Sequence, residues 1–311
     1  MGITDNRRLT AKVCEMYYLE DMSQKEISSR LRISRPQVCR LIAQARAAGI
    51  VEIRVRNPHE TDTALERRLT SRYALDDAFV VGIPEREDRD QVFAREAAAF
   101  LDSLLTPGMN IGVMSGKTVC GVAGHLRGPG RPMGEIVPLA GGIGTVSPAL
   151  HANSIAMMIA RNLGGTPLVL NAPLVVSSPE AAAMLRQEPG IAHVLERGRR
   201  CDLYLIGIGN VDERSTTARA GGIPSGDLEL LQREGAVCSV CSSYFSAEGK
   251  EAGTLAERCI GLELKELKKG RVVACALGKS KTGAIRAALK TGKIHLLMTD
   301  AETAEALTEE S

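Results

Sequence analysis

Apolar residues recur every three or four positions in three short segments of the first fifty residues, a spacing that predicts three helices. Their apolar faces are Leu9, Val13, Met16 and Tyr17; Ile27 and Leu31; and Val38, Leu41, Ile42 and Ala45. The segment VEIRVRN then alternates between apolar and polar residues, as a short strand does, and stops before Pro58.

Residues that cap helices stand where these helices should begin and end. Ser23 and Glu26 have the spacing of a capping box, in which each side chain bonds the other residue's amide. Ser34 can cap the third helix, and Pro36 lies in its first turn, where a missing amide is harmless. Gly49 is placed to end it. Helix, short turn, helix and strand in this order predict a winged helix-turn-helix.

From about residue 77 the pattern changes to short apolar strands separated by amphipathic helices. The predicted strands are residues 78–83, 109–116, 135–142, 167–173, 202–210, 271–278 and 293–300. The predicted helices are residues 91–105, 152–163, 179–187, 191–199, 226–234 and 280–290. This alternation predicts an α/β domain with a mainly parallel sheet, which binds its ligand at the carboxyl ends of the strands.

Between the two patterns lies a helical segment, residues 61–74, in which Leu65 and Leu69 are one turn apart. We interpret it as a connector whose apolar strip contributes to a dimer contact. The sequence thus predicts a helix-turn-helix domain at 1–58, a connector helix at 59–76 and an effector-binding domain at 77–311.

Composition narrows the class of protein. A chain of 311 residues with 44% hydrophobic and 24% charged residues is typical of a packed globular protein of about two domains. Aromatic residues are only 3%, so there are few rings to stack on single-stranded bases. The eight cysteines are scattered and no apolar run reaches the ~18 residues of a membrane span. We therefore expect a reduced, cytoplasmic protein with no membrane partner.

Positive charge is concentrated near one end of the chain. Residues 22–56 contain eight basic and two acidic residues, a net charge of +6 against +2 for the whole chain. A basic module on a mildly acidic body indicates a polyanionic partner, although a solvated charged face has the same composition.

The second helix of the predicted pair, RPQVCRLIAQA, exposes arginine and glutamine near its start. Arginine can bond guanine and glutamine can bond adenine in the major groove of double-stranded operator DNA, while cations of the wing hold phosphates. The predicted DNA contacts are Ser23, Gln24, Lys25, Ser34, Arg35, Gln37, Arg40, Arg54 and Arg56. The alternative is a three-helix packing module with a charged exterior.

Glycine-rich turns follow several predicted strands and suit a small anionic ligand. The segment GVMSGKT is one residue too short for a P-loop, but its amides, hydroxyls and lysine suit one phosphate monoester; the alternative is a plain strand-to-helix turn. GIGNVD lacks the third glycine of a dinucleotide motif and offers polar groups to sugar hydroxyls. The predicted effector contacts are Ser115, Gly116, Lys117, Thr118, Gly141, Gly142, Gly209, Asn210, Asp212 and Lys281.

We predict no catalytic residues, no metal site and no cofactor. Cys238 and Cys241 have CxxC spacing, but without a second pair they are better interpreted as two ordinary thiols. HExxH and GxSxG are both absent from the sequence.

Taken in order along nearly the whole chain, a series of motifs resembles the SorC/DeoR-type sugar-binding transcriptional regulators of bacteria. They are SQKEISSRLRISRPQVCRLIAQARAAGIVEIRV, IGVMSGKTV, IVPLAGG, APLVVSSPE, LIGIGNVD, and VVACALGKSKTGAIRAAL followed by HLLMTDAETA. The resemblance implies a helix-turn-helix, a Rossmann-like effector domain related to sugar-phosphate isomerases and coenzyme A transferases, phosphorylated sugar effectors, and dimers or tetramers. It matches Ser115, Gly116, Thr118, Gly141, Gly142, Gly209, Asp212 and Lys281 to positions of the family's motifs.

We therefore expect a transcriptional regulator, not an enzyme, that binds operator DNA under the control of a small, phosphorylated sugar and forms a homodimer or homotetramer. The main alternative is a sugar-phosphate isomerase or transferase that carries a DNA-binding module. A nucleotide-binding switch is a weaker alternative, because the GxxxGKT turn is too short to close around a triphosphate.

Overall fold

The structure is a computed structural model, and it describes residues 3–51, 60–128, 130, 132–144 and 148–309. The chain divides into two compact units, Met1–Pro58 and His59–Ser311. No helix within the described ranges is long and apolar enough to span a bilayer.

Within residues 3–51, the described part of the first unit, the structure has three helices, as the sequence predicts: α1 (Ile3–Tyr18), α2 (Gln24–Leu31) and α3 (Arg35–Ala47). The capping box of α2 is confirmed, because Glu26 N donates to Ser23 Oγ at 3.3 Å and Ser23 N donates to Glu26 Oε2 at 2.8 Å. The helices pack around Val13, Met16, Ile27, Val38, Leu41 and Ile42. The predicted wing strand, with Arg54 and Arg56, lies outside the described residues.

The second unit is built on a seven-stranded sheet in which every pairing is parallel. Its strands are β1 (Asp77–Val81), β2 (Ile111–Val113), β3 (Glu135–Pro138), β4 (Thr166–Pro167), β5 (Leu203–Gly207), β9 (Arg271–Cys275) and β10 (Leu296–Asp300). Their order across the sheet is β1-β10-β9-β5-β2-β3-β4. Three more strands, β6 (Gly209–Asn210), β7 (Cys238–Val240) and β8 (Ser243–Phe245), form a small antiparallel sheet.

Helices cover both faces of the parallel sheet. They are α4 (Glu60–Tyr73), α5 (Arg89–Leu104), α6 (Lys117–His125), α7 (Ala152–Leu163), α8 (Pro179–Gln187), α9 (Pro189–Arg199), α12 (Thr282–Lys290) and α13 (Ala301–Thr308). The helices α10 (Thr216–Arg219) and α11 (Ser225–Arg233) lie between β6 and β7 in the chain, and α11 packs with Tyr244 of β8 in a separate core. Alternate residues of a strand enter opposite cores: Tyr204 of β5 packs with residues of α9 and α12, and Leu205 packs with residues of α5, α6 and α7. The strands are apolar runs because both of their faces are buried.

Helix α4 belongs to the packed core of the second unit. Leu65 and Leu69 are 4% and 0% exposed, and Tyr73 Oη donates to the Leu307 carbonyl of α13 at 2.9 Å. The prediction that Leu65 and Leu69 form a dimer strip is therefore wrong, since β1 and α13 of the same chain already cover this face.

Two segments differ from the predicted strands. The predicted strand at 167–173 forms only the two-residue β4, because Pro167 and Pro173 have no amide to donate to a sheet. The strands β7 and β8 are not predicted, since each has three residues, too few to show a period. Cys241, with a φ of +56°, makes the tight turn between them.

Candidate anion-binding cavity and nucleic-acid interface

A cavity of about 310 Å³ lies beyond the carboxyl ends of β2, β5 and β9, three neighbouring strands. From β2 the chain proceeds to β3 on one side of the sheet, whereas from β5 it leads to β9 on the other side. The connections therefore leave β2 and β5 in opposite directions. Such a reversal of strand order opens a crevice at the sheet edge, where α/β proteins bind their ligands.

The turn after β2 supplies the first wall. Gly116 has a φ of +137°, a conformation that side chains disfavour, and it precedes α6 without any side-chain cap. The amides of Lys117, Thr118 and Val119 open the helix and belong to residues that line the cavity. The start of α6 is thus suited to an anion, since free amides and the helix dipole both favour negative charge there.

Lys117, the first residue of α6, already has an anionic partner. Its Nζ lies 2.5 Å from Oδ2 of Asp90, in the first turn of α5. The hydrogen bond and the charge of Asp90 raise the pKa of Lys117. Both side chains remain more than half exposed, at 69% for the lysine and 54% for the aspartate. Their pairing is therefore a solvated contact across the cavity rim.

Lys281 is a second cation of the cavity and differs from Lys117 in its surroundings. It ends the 3₁₀ turn Lys279–Lys281 after β9, and it is half-buried. Across the described part of the chain, no carboxylate lies within ion-pair distance of it. The pKa of Lys281 is lowered, mainly by its burial. The negative charge of Asp90 raises this pKa, and the positive charge of Lys117 lowers it further. The cavity wall thus holds a partly desolvated ammonium that no carboxylate of the described residues neutralises by direct contact.

The loop after β5 is held rigid by its own side chains. Asn210 Nδ2 donates to Asp212 Oδ2 and to the Ser280 carbonyl, both at 3.2 Å. Asp212 also accepts from the Arg214 amide at 2.9 Å, and these bonds lower its pKa although burial acts the other way. Gly209 and Asn210 line the cavity, whereas Asp212 lies behind it and fixes the loop.

A further wall comes from residues outside the predicted effector contacts. They are Arg214, Ser215, Thr216, Thr217 and Arg219, in and before the short helix α10. The run of hydroxyls in RSTTAR, which begins two residues after Asp212, is a sequence signal that indicates them. Among the residues that the structure describes, four basic side chains and one carboxylate line the cavity, so its field favours an anionic ligand.

The structure does not bring Gly141 and Gly142 to this cavity. A Cβ on Gly141 would collide with the carbonyl oxygens of Ala172 and Pro173. The Gly142 amide donates to the Ala172 carbonyl at 2.8 Å. Gly141 therefore allows two segments of the chain to approach each other, and no space for a ligand is left at this residue.

The CxxC pair consists of two free thiols. Cys238 is fully buried, and burial raises its pKa to about 12; burial also raises the pKa of Cys241, at the cavity wall. Such thiols stay protonated, and only the thiolate is a good nucleophile or metal ligand. Within the described ranges, no group of three or more His, Cys, Asp or Glu is arranged to hold a metal ion.

In the first unit, α3 presents a polar face opposite a buried one. Ser34 Oγ accepts from the Gln37 amide at 3.3 Å and fixes the start of the helix. Arg35 and Arg40 are exposed, Gln37 is half-exposed, and neither arginine has a carboxylate partner among the residues described. The start of α2 is also accessible: Lys25 is exposed, with Ser23 and Gln24 beside it.

Comparison with known proteins gives the same family along the whole chain. Residues 57–309 match the Sugar-bind family, described as "Putative sugar-binding domain". The deoxyribonucleoside regulator of Bacillus subtilis is 30% identical over 308 residues, covering 97% of this chain and 98% of that protein. The sorbitol operon regulator of Klebsiella pneumoniae is 28% identical over 316 residues, covering 99% of each.

Solved structures that resemble this chain include transcriptional regulators of the same family. Full-length SorC from Klebsiella pneumoniae has a TM-score of 0.74 and 26% identity, covering 98% of this chain and 100% of that one. A DeoR family transcriptional regulator from Listeria monocytogenes has a TM-score of 0.73 and 31% identity, covering 80% and 100%. The chain therefore belongs to the SorC/DeoR family of sugar-binding transcriptional regulators.

Proposed function

We propose that this chain is a transcriptional regulator whose binding to operator DNA is controlled by a small, phosphorylated sugar. The observation that carries the effector assignment is the cavity at the reversal of strand order. There the start of α6, which no side chain caps, lies with the half-buried ammonium of Lys281, which has no ion-pair partner among the described residues. A phosphate bonded to the amides of Lys117 and Thr118 would satisfy both, since it accepts several hydrogen bonds and carries the opposite charge.

The sugar portion is assigned to the hydroxyl-rich wall. Thr216 and Thr217 of α10 and the carbonyl oxygen of Asn210 offer donors and acceptors to sugar hydroxyls. The amide nitrogen of Asn210 is already engaged within the loop, so this residue acts mainly by shaping the wall. Binding regulates the protein if the effector has different affinities for the DNA-competent and DNA-released states.

The lining of the cavity supports sensing over catalysis. Asp90 is the only carboxylate among the described lining residues, and it is bonded to Lys117. A hydrolase or isomerase site combines a nucleophile or general base with a group that orients it. Incubating the protein with sugar phosphates and measuring turnover tests the enzyme alternative directly.

The effector is tested by calorimetry on the full chain with ribose 5-phosphate, glucose 6-phosphate and fructose 6-phosphate, each beside its unphosphorylated parent. We expect at least one phosphorylated sugar to bind and its parent to bind far more weakly. Ligand at about 100 times its Kd would add roughly 2.7 kcal/mol to the free energy of unfolding, which a thermal shift detects. Equal affinity for a sugar and its phosphate would contradict the assignment.

The site is tested by the double variant Lys117→Ala with Thr118→Val. We expect it to lose the effector response while ligand-free operator binding is nearly unchanged. The control is Lys293→Ala, which removes an exposed lysine that does not line the cavity. A full response in the double variant would place the phosphate elsewhere.

For DNA, we propose that α3 enters the major groove and that Arg35, Gln37 and Arg40 contact base edges, with Ser23, Gln24, Lys25 and Ser34 near the backbone. Gln37→Ala or Arg40→Ala should relax base preference at a cost of ~1–3 kcal/mol for a good contact. Arg30→Ala is the control for Arg40→Ala, because it removes the same charge from α2, where Arg30 Nη1 lies 3.4 Å from Oε2 of Glu20. Selection of preferred sequences from a random pool measures the change, and an unaltered preference would contradict this placement.

Two features of the DNA complex extend the proposal. Arg54 and Arg56 are assigned to phosphates, so either change to Ala should weaken all sequences alike and lower the salt slope by roughly one unit. A single helix-turn-helix contacts few base pairs, so we infer a homodimer or homotetramer on two half-sites. Sedimentation showing a monomer with undiminished operator affinity would contradict this assembly.

A further inference from the structure

Of the described residues that line the cavity, one is a carboxylate, Asp90, and it holds the residue that opens α6. Asp90 Oδ2 lies 2.5 Å from Lys117 Nζ. The first turn of α5 keeps the carboxylate in place, because Asp88 Oδ1 accepts from the amides of Asp90 and Gln91 at 3.0 and 3.1 Å. The contact thus joins the fixed starts of two helices.

An anion at the start of α6 and the carboxylate of Asp90 require the same ammonium. Lys117 supplies both the first amide of α6 and the charged side chain above it. The ion pair with Asp90 is solvated, and exposed pairs of this kind contribute little free energy. A phosphate that also bonds the helix amides has charge-assisted hydrogen bonds in addition, so it can displace the carboxylate.

There is space for the two side chains to separate. A second, mostly apolar cavity of about 270 Å³ adjoins the first, and Asp90, Lys117, Thr118 and Leu277 line both. The ion pair therefore stands at the boundary between two cavities and is not packed into the core. No repacking of buried side chains is needed for it to open.

We propose that Asp90 is an internal competitor for the effector: it holds Lys117 in the free protein, and the phosphate binds by displacing it. This inference rests on the proposed function, since it takes the start of α6 as the phosphate site. Asp90 then sets the effector concentration at which the regulator responds, by weakening the affinity for every phosphorylated ligand of the cavity.

The test is the affinity of the full chain for inorganic phosphate, measured by calorimetry on the wild type, Asp90→Asn and Glu96→Gln. Asp90→Asn removes the competing charge and should bind phosphate roughly two- to fivefold more tightly. Glu96→Gln removes the same charge from the same helix, but Glu96 pairs with Arg95 away from the cavity, so its affinity should be unchanged. Equal or weaker binding by Asp90→Asn would overturn the proposal.

Competition is separated from simple repulsion by repeating the change in a Lys117→Ala background. If Asp90 acts by holding Lys117, the gain from Asp90→Asn should shrink when the lysine is absent. An equal gain in both backgrounds would show repulsion alone and would overturn the competition.

The same titrations separate this inference from the proposed function. Phosphate binding that is unaffected by Lys117→Ala, or absent from all variants, would reject the phosphate site itself and this inference with it. Binding that depends on Lys117 but not on Asp90 would reject the competition alone.

Discussion

The two candidate sites are built in opposite ways. The described candidate DNA contacts come from one stretch of chain, Ser23 to Arg40, and two local caps place them. The cavity collects residues from Asp90 to Lys281, which only the order of the parallel strands brings together. A site made by local contacts can be predicted from a local pattern, whereas a site made by topology depends on pairings that no short segment encodes.

The two candidate sites also differ in the surroundings of their charged side chains. Arg35 and Arg40 extend into solvent, where a phosphate or a base edge can reach them without displacing another group. In the cavity, Lys117 is paired with Asp90, and Lys281 is partly desolvated. The first surface is therefore suited to long-range attraction of a polyanion, and the second to discrimination among small ligands.

The largest effect is expected on the stability of the second unit, where a contact between residues far apart in the chain holds the start of α5. Arg89 Nε lies 2.5 Å from Oδ2 of Asp300, whose side chain is 3% exposed. Nη2 of Arg89 lies 2.9 Å from Oε2 of Glu302. Arg89→Met should lower the free energy of unfolding by about 2–3 kcal/mol, because the buried carboxylate loses its counter-charge; the 39% exposure of Arg89 places the effect below that of a fully buried pair.

Denaturant unfolding measures this change, and Arg95→Met on the same helix is the control. Arg95 is 59% exposed, and within the described ranges its ion-pair partner is the neighbouring Glu96 alone, so its removal should change stability by less than about 0.5 kcal/mol. If the two variants unfold alike, the start of α5 is not anchored by Asp300 as we describe.

Much of the fold follows from the sequence, because helix caps and apolar periods are local signals. The three helices of the first unit, the main strands near 78–83, 202–210, 271–278 and 293–300, and the helices between them are confirmed with end shifts of a few residues. The sequence does not give the strand order, since each parallel strand is apolar on both faces and can pair with any other.

The candidate site is predicted in part for the same reason. Ser115 to Thr118, Gly209, Asn210 and Lys281 follow strand ends and all line the cavity. Asp90 is not among the predicted contacts, because nothing in its own segment indicates that α5 begins beside α6. The Gly141 prediction assumes that a ligand approaches its backbone closely, whereas in the structure the carbonyls of Ala172 and Pro173 approach it instead, a contact visible only in three dimensions.

A smaller effect is expected from a local contact in the first unit. Ser34→Ala removes the oxygen that accepts from the Gln37 amide and should destabilise this unit by about 1 kcal/mol. Operator affinity should fall with it, because Gln37 lies on the first turn that the cap fixes. Ser29→Ala, at an exposed position within α2, is the control, and the loss of α-helical signal on heating is the measurement. A cap variant as stable as this control would mean that α3 is held by its core contacts alone.

The smallest effect concerns the pH dependence of phosphate affinity, which separates the two lysines of the cavity. Burial lowers the pKa of Lys281, whereas Asp90 raises the pKa of Lys117. Phosphate binds the charged form of each lysine more tightly than the neutral form. The affinity for phosphate is therefore highest below the pKa that the lysine has in the ligand-free protein, and it falls as the pH rises through that pKa. Lys281 should therefore cause the first loss of affinity, perceptible as a few-fold weakening in titrations from about pH 8 to about pH 10, where phosphate is already a dianion. In Lys281→Met the affinity should be weaker throughout and this early fall should vanish, while Lys293→Met should retain it. An early fall that persists in Lys281→Met would show that the partly buried ammonium is not the group that meets the phosphate.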